Sequence, residues 1–96
     1  MLKNFQDRST GDVFHGENTP AARRIPQTIW PAARRKLDLL NAAHQLKDIA
    51  VPPGNRLEAL KGDRKGFHSI RINDQYRLVF KFVDGCAFDV EIEDYH

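Results

Sequence analysis

A single cysteine, Cys86, excludes an internal disulfide framework, and its place on the apolar side of a strand pattern makes it a candidate core residue. No apolar run approaches the roughly 18 residues of a membrane span, and Met1-Leu2-Lys3 opens no signal-peptide pattern, so a cytoplasmic chain without a membrane partner is expected. There is no phosphate-binding Walker loop, no dinucleotide fingerprint and no paired-His metal helix. His15, His44, His68 and His96 are too dispersed to suggest zinc, and neither a metal nor a cofactor is expected. Repeats, low-complexity tracts and long linkers are also missing, and 96 residues suit one domain, 1–96.

Base is the other scarcity, but only locally. All 15 Lys and Arg and eight of the 13 acids lie in residues 1–83, while residues 84–96 hold five acids and no base. A basic body ending in an acidic strand suggests a polyanionic partner, with acids kept for orientation, chemistry or a protein contact. Charge alone leaves DNA, RNA and an acidic protein open.

Period-2 alternation dominates the last third of the chain. Runs at Phe67–Asn73, Tyr76–Val83 and Cys86–Ile92 place Ile70, Ile72, Leu78, Phe80, Phe82, Phe88, Val90 and Ile92 on one face. Ser69, Arg71, Arg77, Lys81, Asp89, Glu91 and Glu93 fall on the other. Because directly opposed residues share a face, each hairpin needs an odd loop. Asn73-Asp74-Gln75 serves the first, setting Arg71 opposite Arg77. Val83-Asp84-Gly85, with Gly85 left-handed, serves the second, pairing Phe80 with Phe88 and Arg77 with Glu91. Like charges directly opposed are destabilising, so the Arg71/Arg77 pair reads either as a face neutralised by Glu91 and Glu93 or as an anion site.

Upstream, Leu2–Phe5 reads as a short edge strand, and Asp7 or Ser9 caps a brief helix to about His15. Apolar residues recur at Ile29, Ala33, Leu37, Leu40, Ala43 and Leu46, predicting a helix that ends near Asp48 and puts Arg34, Arg35 and Lys36 toward solvent. Pro31 either kinks it or marks its true start at Trp30-Pro31. Val51-Pro52-Pro53-Gly54-Asn55 cannot continue a helix, Arg56–Leu60 reads as a strand, and Lys61–Gly66 is a basic loop whose Arg64 and Lys65 can approach a phosphate. The expected fold is α+β, in the order β-α-α-β-β-β-β, with two N-terminal helices on a mostly antiparallel sheet.

The terminal Glu93-Asp94-Tyr95-His96 is the densest polar cluster. It is either a frayed tail or the acid-base part of a metal-free ribonuclease: a His that titrates near neutrality, a carboxylate that orients it, and a Tyr that stacks on a base.

The run LEALKGDRKGFHSIRINDQYRLVFKF, a DG turn and a terminal EDYH together resemble the HigB-type branch of the RelE/ParE toxin superfamily. The similarity extends through MLKNF, ARRKLDLLNAA and PPGNR. It implies a compact RelE-like fold with a curved sheet and an endoribonuclease that cleaves mRNA in the ribosomal A site. It also implies a helix-turn-helix antitoxin of the HigA kind, encoded next to it. By position the resemblance assigns catalytic roles to Lys61, Arg77, Asp94, Tyr95 and His96, with Arg71, Arg64, Lys65 and Tyr76 along the RNA. Glu58 stands where some members carry His, as a candidate base or an orienter of Lys61. A ParE-like gyrase inhibitor shares the fold but needs no terminal acid-base group. A non-catalytic nucleic-acid-binding protein would need only the basic face.

Overall fold

The first helix begins where Asp7 supplies a cap. In the computed structural model, which describes residues 1–95, the Asp7 carboxylate accepts the Thr10 amide at 2.9 Å and satisfies one unpaired donor of the first turn. Helix α1 (Arg8–Phe14) follows, and its Gly11 lies close to Phe5, where a Cβ would crowd the ring at 3.2 Å. Two 3-10 turns, Ala22–Arg24 and Gln27–Ile29, lead into α2 (Trp30–Ala42). Pro31 lies in its first turn, where no helical amide is required, and therefore marks the start of the helix instead of kinking it.

Helix α2 stops earlier than its apolar periodicity suggests. Ala43 is extended, and the amides of His44 and Gln45 both donate to the Asp48 carboxylate at 3.0 Å. Those two bonds hold the Asp48 carboxyl below its ordinary pKa. They also start a separate turn, α3 (Leu46–Ile49), so the expected single helix to Asp48 is two.

Four antiparallel strands follow in the order β1 (Glu58–Ala59), β2 (Phe67–Arg71), β3 (Tyr76–Val83) and β4 (Cys86–Asp94). Strand β1 is shorter than the expected Arg56–Leu60, because Arg56 is left-handed at φ 47° and cannot join a ladder. The expected N-terminal strand is two isolated parallel bridges beside β4, Leu2 with Ala87 and Phe5 with Val90. Between them the Asn4 side chain adds to the backbone bonds, accepting the Asp89 amide at 3.0 Å and donating to the Asp89 carboxylate at 2.8 Å.

The first hairpin has the expected register. Arg71 faces Arg77, the Ile72 amide donates to the Tyr76 carbonyl at 2.9 Å, and the Asn73 side-chain oxygen accepts the amides of Gln75 and Tyr76 at 2.9 and 2.7 Å. The second hairpin departs from expectation. Its loop is the two residues Asp84-Gly85, both at positive φ (52° and 77°), with Val83 opposite Cys86. That register alone would aim Asp89 at Phe80 and break the core. A bulge prevents it: Asp89 is left-handed at φ 53°, Lys81 pairs with Phe88 but Val79 with Glu91, and Phe80 faces both Asp89 and Val90.

The bulge inverts the parity of β4 on its turn side. Ala87 is fully buried there, while Phe88 and Cys86 oppose Lys81 and Val83 on the other face and are only half-buried, which corrects their assignment to the core. Beyond the bulge Val90 and Ile92 return to the core and Arg77 opposes Glu93, not Glu91.

Helices α1 and α2 cover one sheet face around Val13, Leu37, Leu40, Ile49, Ile70, Leu78 and Phe80. Burying each large side chain contributes about 1.5–3 kcal/mol of transfer free energy. Turn geometry is testable by itself. A Cβ at Gly85 would be strained by its φ and would meet the His44 carbonyl oxygen at 3.1 Å. Gly85→Ala is expected to destabilise by about 1 kcal/mol or more, read as a lowered urea midpoint. An unchanged midpoint would contradict this geometry.

Candidate functional site

The sheet face away from the helices carries Ser69, Arg71 and Arg77, and at its edge opens a cleft of about 520 Å³. Arg56, Arg71, Arg77 and Tyr95 line it, with Gly54, Asn73 and Asp74. Register explains the convergence: Arg71 lies directly opposite Arg77, and Ser69 is its diagonal neighbour.

Arg77 is not on an open face, as alternation suggests, but 8% exposed. Its Nε donates to Ser69 Oγ at 2.9 Å, and its Nη2 donates to the Arg56 carbonyl at 2.5 Å and the Ser69 carbonyl at 3.3 Å. The Tyr95 ring centroid lies 5.7 Å from its guanidinium carbon. The carboxylate of Glu58 is 3.9 Å away and more than half exposed. A nearly buried cation held mainly by neutral oxygens keeps its charge available to a ligand.

The two acids expected to neutralise this face do not pair with it. Glu93, across the ladder from Arg77, forms a two-pronged ion pair with Arg64, one arm at 2.9 Å. Glu91 faces Val79, and burial, reinforced by Asp7 and opposed by Arg64, raises its pKa. Arg71 pairs with Asp74, which is almost fully exposed, so that bond is weak and exchangeable.

Lys36 is half-buried, not solvent-facing as the helical pattern predicts. Its ammonium donates to the Asn55 side-chain oxygen. Burial, and then the charges of Arg35 and Arg71, lower its pKa.

The other predicted site residues divide. Asp94 ends β4, where its carboxylate accepts the Gln75 side-chain amide at 3.1 and 3.2 Å, and the Tyr95 amide donates to the Gln75 carbonyl at 2.5 Å. Tyr76 packs against the apolar core on the opposite sheet face, so it does not present its ring beside Arg77. Lys61 and Lys65 are exposed around the turn Gly62–Arg64 after β1, outside the cleft lining, and Arg64 is occupied by Glu93. His96 lies outside the described residues.

Sequence reasoning missed Asn55, Arg56, Ser69 as a partner of Arg77, and Gln75. Only Ser69 carried a usable signal, since strand parity already set it on the Arg77 face. Among the described residues, no group of three His, Cys, Asp or Glu side chains could hold a metal ion, and no helix is long and apolar enough to cross a membrane.

Residues 3–96 match the HigB-like toxin family, described as the RelE-like toxin of the type II toxin-antitoxin system HigB. Toxin HigB-1 of Vibrio cholerae is 46% identical over 93 residues, covering 97% of this chain and 96% of that protein. Endoribonuclease HigB of Proteus vulgaris is 36% identical over 102 residues, covering 100% of both. With its antiparallel four-stranded sheet, its helical layer and a match over nearly its whole length, this chain belongs to the HigB-like family of RelE-like toxins from type II toxin-antitoxin systems.

Proposed function

We propose that this toxin is a metal-independent endoribonuclease that cleaves mRNA in the ribosomal A site, acts in the cytoplasm, and is held in check by a HigA-like helix-turn-helix antitoxin. The observation that carries this reading is the buried Arg77 guanidinium facing a cleft lined by Arg56, Arg71 and Tyr95. The name of the Proteus vulgaris relative supports the same activity.

RNA supplies its own nucleophile. A base removes the proton of the 2′-hydroxyl, the 2′-oxygen bonds to the adjacent phosphorus, and the bond to the 5′-oxygen breaks as an acid protonates that oxygen. The products are a 2′,3′-cyclic phosphate and a 5′-hydroxyl. Negative charge builds on the phosphate oxygens meanwhile, and preoriented cations in a partly dehydrated site are the strongest means of stabilising it. Arg77 and Arg71 take that role, and Lys61 adds positive charge. His96 is the leading general acid or base, Asp94 orients it, and Tyr95 stacks on the nucleotide. Glu58, 3.9 Å from Arg77, is the second candidate for the base. Arg64 and Lys65 flank the path of the strand. Because Tyr76 packs against the core on the opposite sheet face, the stacking role falls to Tyr95 alone.

Inducing the chain in growing cells, with translation initiation running or blocked, tests this reading. Mapped RNA 5′ ends should accumulate inside translated reading frames and disappear when initiation is blocked. Intact mRNA together with lost gyrase supercoiling would instead identify a gyrase inhibitor.

A further inference from the structure

The Arg77 side chain is gripped from two sides, and the alternation of the strands accounts for only one of them. On one side Ser69, fully buried, gives Arg77 both its hydroxyl and its carbonyl. On the other the acceptor is the carbonyl of Arg56, the residue that follows the turn Pro53–Asn55.

Asn55 has no exposed surface, yet its amide is fully engaged: Nδ2 donates to the carbonyls of Ile49 at 3.0 Å and Val51 at 3.2 Å, and Oδ1 accepts from Lys36. A buried carboxamide is costly unless satisfied in this way, and an apolar side chain would fill the same space without that demand. What the network achieves is local backbone shape. It ties the turn Pro53–Asn55 to α3 and to α2, and the next residue, Arg56, is held left-handed at φ 47° and ψ 59°, which a side chain of its size resists. In that conformation the Arg56 amide donates back to Pro53 at 3.1 Å while its carbonyl receives Arg77.

We propose that Asn55 and Ser69 are positioning residues that aim the Arg77 guanidinium into the cleft, Asn55 through the carbonyl of Arg56 and Ser69 directly. This rests on the reading of the cleft as the site of the scissile phosphate. Nε and Nη2, one edge of the guanidinium, are fixed by oxygens from two separate segments, so both the tilt and the rotation of the group are determined before RNA arrives. An arginine in solvent would have to be ordered during the reaction instead.

The full-length protein tests this by a double-mutant cycle on single-turnover cleavage of a ribosome-bound mRNA. Asn55→Ala and Ser69→Ala are each made alone and together with Arg77→Ala, and thermal melting confirms that each variant is folded. Either substitution alone should lower the rate by roughly 10- to 100-fold, as displacement of a catalytic group by about an ångström does. In the Arg77→Ala background neither should cause further loss, because the group they aim is gone. Losses that multiply with that of Arg77→Ala, or single variants that cleave at the wild-type rate, would overturn the proposal while leaving the phosphate site intact. If Asn55→Ala does not fold, Ser69→Ala, which removes only a hydroxyl, decides the same comparison. If Arg77→Ala itself cleaves like wild type, the phosphate-site reading fails, and the brace has nothing to aim.

Discussion

Arg77→Ala is expected to lower single-turnover cleavage by about 10²- to 10³-fold, the usual loss when one preoriented charge-stabilising group is removed, and to relieve growth arrest. The size of the effect follows from burial. Arg71 is tied to an exposed Asp74 and Arg64 to Glu93, whereas Arg77 is held by neutral oxygens with its nearest described acid 3.9 Å away. The stability change is expected to be a loss. Removing the guanidinium leaves the Arg56 carbonyl and the Ser69 hydroxyl without their donor, at a cost of about 1–3 kcal/mol. Relief of the like-charge contact with Arg71 returns at most about 1 kcal/mol. The opposed arginines considered alone would suggest stabilisation, so the sign of the change in melting temperature is informative. Arg77→Lys keeps the charge but not the planar fork that reaches Ser69 and Arg56 together, and most of the activity should be lost there too. A fully toxic Arg77→Ala protein would show that this face is merely solvated.

His96→Ala is expected to lower the same rate by on the order of 10²- to 10⁴-fold, the range for a general acid or base, with little change in ribosome binding. The preceding two residues supply the structural support. Asp94 is held by the Gln75 side chain, and Tyr95, anchored through its amide, lies over Arg77 at 5.7 Å, so His96 follows directly on a cleft residue. An imidazole that exchanges a proton near neutrality makes the rate depend on pH, and His96→Ala should flatten that dependence. Lys61→Ala should slow the reaction with the pH profile retained, since its contribution is charge. Wild-type cleavage by His96→Ala would remove His96 from the mechanism.

Local patterns were legible where one face is buried and the ladder is unbroken. Tyr76–Val83 is a strand at its expected bounds, and the odd loop Asn73–Gln75 correctly set Arg71 against Arg77. Parity failed in β4 because it assumes one residue per step. A left-handed Asp89 adds a residue, and Asp, unlike Gly, gives little warning of positive φ. The end of α2 was obscured for a related reason: Leu46 keeps the helical period, while Asp48 withdraws two amides from the helix to start a new turn. Within the cleft, the facing arginines belong to the readable strands, and Tyr95 follows directly on the end of β4. Arg77's burial was not readable, because its partner from Arg56 arrives through a turn whose shape depends on Asn55, Ile49, Val51 and Lys36, all remote from β3 in sequence.

The chemistry of the cut ends tests the account most directly. Attack by the 2′-hydroxyl in the Arg77 cleft predicts RNA fragments that carry a 5′-hydroxyl on one side and a 2′,3′-cyclic phosphate, or its opened phosphate, on the other. It also predicts that both products fall together in Arg77→Ala and His96→Ala. Fragments ending in a 3′-hydroxyl and a 5′-phosphate would require an external nucleophile and would contradict it.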